Sequence, residues 1–389
     1  MLQVTTQPPL ALYVHFPWCV RKCPYCDFNS HEAREAVPER DYVDALIGDL
    51  EQDLPRVWGR SVTAVFMGGG TPSLFSPESI ERLMAALRAR LALRPDIEVT
   101  LEANPGTVEQ AKFAEFRAAG INRLSIGAQS FNDDSLARLG RIHGRREALR
   151  AAESAHDAGL ANFNLDLMFA LPEQDLHSAL EDLRTAMDLE PAHISHYQLT
   201  IEPNTLFHAR PPSLPHDDLA WEIQTQCQQL LQERGYTYYE VSAFARGDRQ
   251  CRHNLNYWRF GDYLGIGAGA HSKLTDVNRN SVSRTWKVKN PRDYLQAARG
   301  GNFTAGERSL QRDDLALEFM MNALRLTEGF ETALFAERCG IPIATVQAQL
   351  EQAEQRGWIQ WDTQHLAPTA DGLRFLNALL ELFVPEIPT

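Results

Sequence analysis

The segment Cys19-Val20-Arg21-Lys22-Cys23-Pro24-Tyr25-Cys26 constrains this chain more than any other stretch. It sets three thiols in eight residues, spaced C-x3-C-x2-C, directly after an apolar run at 11–16. Cysteine thiolates are the usual protein ligands of iron–sulfur clusters, and in a [4Fe–4S] cube three of them leave one iron without a protein ligand. That iron is free to hold a small molecule. Two other readings use the same residues. A zinc site takes four nitrogen or sulfur ligands, and His15 or His31 could be the fourth. A C-x2-C pair also serves as a redox dithiol near a βαβ unit.

Beyond the cysteines the chain alternates. Strand-forming runs fall at 11–16, 62–67, 97–102, 123–127, 162–169 and 193–199. Helical periodicity falls at 41–54, 77–93, 108–119, 145–158 and 176–189. Six strands separated by helix-length segments predict parallel βαβ units. The unusual polar residues sit at or just past strand C-terminal ends: the cysteines, Gly68-Gly69-Gly70-Thr71, Glu102 and Gln129. Ligands bind at that face in barrels of this kind. Asp166 interrupts an apolar strand, and a carboxylate there faces the barrel mouth more readily than a dry core. Six units are too few to close an eight-unit barrel. The expected fold is therefore α/β, an open (β/α)6 partial barrel.

C-x3-C-x2-C directly after a first strand resembles the radical S-adenosylmethionine (SAM) superfamily. In that superfamily SAM chelates the open iron of a [4Fe–4S] cluster, which places Cys19, Cys23 and Cys26 as the cluster ligands. The segments MGGGTPS, EANPGT, SIGAQSF and DLMFALP stand in the order shown by the coproporphyrinogen-oxidase-like branch, and the likeness covers about residues 11–290. Carried over residue by residue, it implies SAM contacts from Tyr13, Tyr25, Gly69, Gly70, Thr71, Glu102, Gln129, Arg141 and Asp166. From residue type alone the glycine run is equally a tight strand-to-helix turn. The four polar groups, taken singly, are equally solvated or capping residues.

The sequence departs from the oxygen-independent coproporphyrinogen III oxidases. They carry a further cysteine, C-x3-C-x2-C-x-C, where this chain has Phe28. Only about ten residues, expected to form a flexible leader at 1–10, precede the first strand. C-x3-C-x2-C-x-F instead resembles the HemW haem chaperones, which bind haem and deliver it to haem proteins. His253-Asn254-Leu255-Asn256-Tyr257-Trp258 matches their HNxxYW pattern. An imidazole is a common axial ligand of haem iron, so His253 is the expected haem ligand. Cys251 is the alternative, and a merely solvated loop histidine is the bland one. The stretch GIGAGAHS at 265–272 is expected to line the SAM pocket, unless it serves only close packing.

The resemblance implies a haem chaperone carrying a [4Fe–4S] cluster, SAM and haem as cargo. The alternative is a coproporphyrinogen III oxidase that oxidatively decarboxylates propionates. Expected partners are recipient haem proteins, membrane respiratory enzymes among them, and a homodimer stays open. Residues 11–210 are expected to form the radical SAM core, and 211–304 an extension carrying the haem motif.

Composition limits the rest. Helical periodicity followed by a hairpin signal predicts a winged-helix-like domain at 305–389. Such folds often bind DNA, but this segment has six arginines, no lysine and thirteen acids, and the whole chain carries a net charge of −13. A phosphate-binding surface needs the opposite sign. No apolar run reaches membrane-spanning length and no basic and apolar leader signals secretion. A clustered rather than paired use of the six cysteines points to a reducing cytoplasm, with any membrane association peripheral and through partners.

Overall fold

The structure, a computed structural model, describes residues 2–385, the side chains of residues 107 and 108 excepted. Met1 and residues 386–389 of the expected leader and C-terminal domain lie outside the described residues.

Six parallel strands run in chain order across the centre: β1 (Leu10–Phe16), β2 (Ser61–Gly69), β3 (Ala92–Ala103), β4 (Arg123–Gln129), β5 (Phe163–Phe169) and β6 (His193–Gln198). Helices α1 (Glu39–Val57), α2 (Pro77–Arg90), α3 (Phe113–Ala119), α4 (Arg145–Asp157) and α5 (Leu176–Asp188) connect them. Strand side chains alternate between faces. Leu12, Val14, Val65, Leu101, Leu124 and Leu165 pack with Tyr42, Leu46 and Leu83 of the helices in one large core. The opposite parity puts Tyr13, Phe66, Glu102, Gln129, Asp166 and Tyr197 on the concave face. The six expected strands are present and the sheet is open.

The sheet is wider than six strands. α6 (Asp217–Glu233) leads to β7 (Thr237–Glu240) and β8 (Ala243–Ala245), which extend the β6 edge in antiparallel fashion. After α7 (Arg252–Trp258), strand β9 (Asp262–Ile266) pairs in parallel with β1, and β10 (His271–Asp276), β11 (Ser281–Lys287) and β12 (Thr304–Ser309) follow it antiparallel, for twelve strands in all. β9 was hidden in the glycine-rich stretch. α8 (Pro291–Gly300) packs on α1. Two boundaries also differ from expectation. α2 stops at Arg90 and β3 begins at Ala92, because Pro95 cannot continue a helix and holds Arg94 extended. The helix expected at 108–119 breaks after Gln110 and resumes at Phe113.

A second core belongs to α9 (Arg312–Ala323), β13 (Phe330–Glu331), α10 (Thr332–Cys339), α11 (Gln347–Gln355), the hairpin β14 (Ile359–Trp361)–β15 (His365–Pro368) and α12 (Leu376–Glu381). The three strands order β13-β15-β14. The leader is not loose. Val4 is 2% exposed inside this second core, Gln3 N–H donates to Gly340 O, and Arg60 donates to Pro8 O. Apolar Val4 has buried surface to gain there, which a composition-based reading of ten residues does not show. Among the described residues no helix is long and apolar enough to cross a membrane.

Candidate functional site

The cysteine loop leaves β1 through a short parallel ladder of Trp18–Cys19 with His31–Glu32 and closes over the C-terminal strand ends. Cys19, Cys23 and Cys26 are free, half-buried thiols lining one cavity with Tyr25, Gly69, Gly70, Thr71, Glu102, Gln129, Arg141 and Asp166. All the expected SAM contacts except Tyr13 therefore share that wall. Tyr13 lines an adjoining cleft instead, which shares Phe28, Gly69 and Glu102 with the cavity. The volumes are about 140 Å3 and about 540 Å3. The cleft by itself falls in the usual ligand range of roughly 300–1,000 Å3.

Each sulfur meets a donor or hydroxyl. Thr71 Oγ1 donates to Cys19 Sγ at 3.5 Å, Arg141 Nη1 to Cys23 Sγ at 3.5 Å, and Ser30 Oγ lies 3.5 Å from Cys26 Sγ. Burial pushes the Cys19 thiol up to about 11, against the Thr71 hydrogen bond. A thiolate there needs a nearby cation. The zinc reading does not find its fourth ligand in either histidine. His15 is held by Tyr13 Oη and Asn29 O, His31 by Asn29 Oδ1, and neither ring lines the cavity. Among the described residues no three His, Cys, Asp or Glu side chains are gathered for a single ion.

The glycine run acts through close approach. A Cβ on Gly70 would lie 2.5 Å from Trp18 O, and Gly69 adopts φ +109° with its amide donating to Glu102 Oε2 at 3.0 Å. Burial pushes Glu102 up to about 8, with the Asp166 charge adding to it. Burial raises Asp166 too, against hydrogen bonds from Asn164, Ser195 and Ser125. Two buried carboxyls resisting ionisation form a site short of positive charge, which a sulfonium and ammonium would supply. The donor set thus fits both a thiolate-bound cluster and a zwitterionic, cationic nucleoside.

Sequence reasoning missed Asn104 and Tyr197. Asn104 accepts from Arg141 and donates to Thr71, and Tyr197 Oη donates to Gln129 Oε1 at 2.7 Å. Asn104 stands inside EANPGT. Tyr197 shares its strand parity with Ser195, a signal that was available.

His253 requires a correction. α7 does not form an exposed loop but lies against the concave side of β1 and β2. Its His253 ring is 5% exposed, stacked on Phe66 at 4.8 Å and flanked by Tyr13 and Tyr257. Burial, and then Arg123, push its imidazole down to about 3. In this arrangement Phe66, Tyr13 and Tyr257 cover the imidazole. The alternative ligand Cys251 is buried as well, with its thiol beside Glu98. The GIGAGAHS expectation also changes, since Gly269 and His271 line the adjoining cleft rather than the cavity.

A model of the Radical SAM superfamily matches residues 13–186, and one of the HemN C-terminal domain matches residues 310–375. The protein named Heme chaperone HemW in Escherichia coli K12 is 50% identical over 97% of this chain and 99% of its own length. The protein of the same name in Haemophilus influenzae is also 50% identical, over 97% and 99%. Among solved structures, one described as coproporphyrinogen III oxidase (HemN) from Escherichia coli, a radical SAM enzyme, superposes with TM-score 0.82 at 25% identity. That match covers 98% of this chain and 91% of the other.

Proposed function

Since this chain belongs to the radical SAM superfamily, in the family of the HemW haem chaperones, we propose that it binds haem and delivers it to haem proteins. One observation carries this reading: half of all residues are identical to a haem chaperone along nearly the full length of both chains. The superfamily implies a [4Fe–4S] cluster and SAM. In this reading Cys19, Cys23 and Cys26 would hold the cluster. Gly69, Gly70, Thr71, Tyr25, Glu102, Gln129, Arg141 and Asp166 would hold SAM, with Tyr13 at the edge of the adjoining cleft.

A cluster with SAM supplies one-electron reductive chemistry when bound. The chain's own residues position and charge the site. Arg141 and Thr71 donate to sulfurs, and Glu102 with Asp166, whose ionisation burial opposes, would ionise against a cationic ligand. Proposed recipients include membrane respiratory enzymes, reached from the cytoplasm by a soluble donor, with a homodimer as one working form.

A second reading, coproporphyrinogen III oxidation, is favoured by the superposition on the oxidase. It is ranked lower because identity to that protein is 25%, against 50% to the chaperone, and because Phe28 replaces the further cysteine. Haem titration into cluster-reconstituted protein, followed by transfer to an apo haem protein, tests the first reading. Steady anaerobic turnover of coproporphyrinogen III, with no haem binding, would replace it by the second.

A further inference from the structure

The cleft beside the cavity is built for a flat, aromatic, acidic ligand, and it offers an imidazole that His253 does not. His271 opens β10 at the cleft wall and its side chain is exposed. Among the described residues its ring makes no hydrogen bond and no ion pair. Trp286, opposite it on β11, lies nearly parallel to the ring at 27° with centroids 6.3 Å apart.

The other walls are aromatic. Tyr257 and Tyr263 stack at 4.2 Å, and Phe28 stands 60% exposed at the boundary with the first cavity. A flat ligand seated at this boundary would cover the Phe28 ring. Lys289 is exposed at the rim without an ion-pair partner among the described residues. By contrast Lys287 is committed to Asp49 and Asp53, and Arg284 to Glu318. Lys289 is thus the cation available to a propionate.

Two features hold the imidazole at this mouth. Asn29, three residues past Cys26, donates to Ala268 O and Lys289 O, tying the cysteine loop to both sides of the cleft. Gly269, at φ +76°, lets Asn29 approach so closely that a Cβ would lie 2.5 Å from Asn29 Nδ2.

We propose that His271 is the axial ligand of the cargo haem, with Phe28 beside the macrocycle, Trp286 beside the imidazole and Lys289 pairing with a propionate. This rests on the haem-chaperone reading. A neutral imidazole is the ligating form, and partial desolvation together with the nearby Arg284 and Lys289 charges lowers the His271 pKa, which favours that form. The site would put cargo against the SAM cavity, with Phe28 the shared wall.

The test is haem titration, followed by Soret and electron paramagnetic resonance spectra, on the full chain as wild type, His271→Ala, His271→Met, His253→Phe and Lys289→Ala. His271→Ala is expected to weaken haem at least about tenfold, roughly the loss of 1.4 kcal/mol, with unchanged thermal melting because the residue is exposed. His271→Met should change the spin-state signature, which a merely structural role would not. Lys289→Ala should weaken haem several-fold yet leave binding of the haem dimethyl ester unchanged. If wild type binds haem and His271→Ala binds it with the same affinity and spectrum, His271 is not the ligand while the chaperone reading stands. If that result comes with loss of the signal in His253→Phe, the ligand is His253 after movement of α7. If wild type binds no haem, both fail.

Discussion

Asn104 joins two cysteines it does not touch: it accepts from Arg141 Nη2 at 2.7 Å through its oxygen and donates to Thr71 Oγ1 at 2.8 Å through its nitrogen. Arg141 donates onward to Cys23 Sγ and Thr71 to Cys19 Sγ, so one carboxamide orients the donors of both sulfurs. Hydrogen bonds to cluster sulfurs stabilise the reduced, more negative state. Asn104→Ala is expected to leave the three thiols in place and to let the cluster assemble. The reconstituted cluster should then have a more negative reduction potential than wild type in an anaerobic redox titration. An unchanged potential would show that Thr71 and Arg141 keep their geometry without the carboxamide. Replacing Cys19, Cys23 or Cys26 by Ala should instead remove the cluster absorbance altogether.

Glu102 makes stability and ligand binding depend on pH in opposite directions. Its folded pKa is about 8 against an ordinary 4.5. The folded state therefore holds a proton the unfolded chain releases, and between about pH 4.5 and 8 stability falls as pH rises. The slope for one such group is at most about 1.4 kcal/mol per pH unit. Cationic SAM prefers the ionised carboxylate, so its affinity should rise over the same window and level off above pH 8. Glu102→Gln should flatten both profiles, in chemical denaturation and in isothermal titration of SAM. A wild-type melting curve independent of pH across that range would show that Glu102 is ionised throughout.

His253 gives a prediction that separates packing from ligation. Among the described residues its Nδ1 is buried without a partner, and its ring fills space against Phe66 and Tyr257. Truncating a buried aromatic ring leaves a void, so His253→Ala should lose about 3 kcal/mol in urea denaturation. His253→Phe keeps the volume and removes the unpaired nitrogen, and should match or exceed wild-type stability. Equal losses in both variants would mean that the imidazole nitrogens carry the stability.

The sequence made the concave face legible because strand parity is simple. Their strands alone place Glu102, Gln129 and Asp166, and the structure brings them together in one cavity. The reading failed where contacts are made between distant segments. Nothing near His253 in the chain shows that α7 enters the sheet's concave side, since the surfaces that bury it, Tyr13 and Phe66, lie far away in sequence. β9 pairs with β1 across more than two hundred residues, which no local pattern records. Gln129 at φ +68° is equally silent in sequence. A non-glycine residue in that region is held by its surroundings, here including the Tyr197 hydrogen bond.

The N-terminal segment offers the last test, because a loose tail and a packed strap respond oppositely to one charge. Val4 lies in the C-terminal core, its amide donates to Asn280 Oδ1 at 3.2 Å, and a Cβ on Gly340 would lie 2.8 Å from Val4 Cγ2. Gly340 also sits at φ +65°, where a side chain is strained. Val4→Asp would place a carboxylate in the apolar core that includes Phe319, Phe335 and Cys339. An unpaired buried charge costs several kcal/mol unless the segment detaches. The expected outcome is release of the first residues and loosening of the C-terminal core, read as faster proteolysis near Gly340 and a lower melting temperature. Val4→Ala should lose about 1–3 kcal/mol by cavity formation alone. SAM binding at the C-terminal ends of the strands should be unchanged in both variants. If Val4→Asp melts and digests like wild type, residues 2–9 do not hold the two cores together.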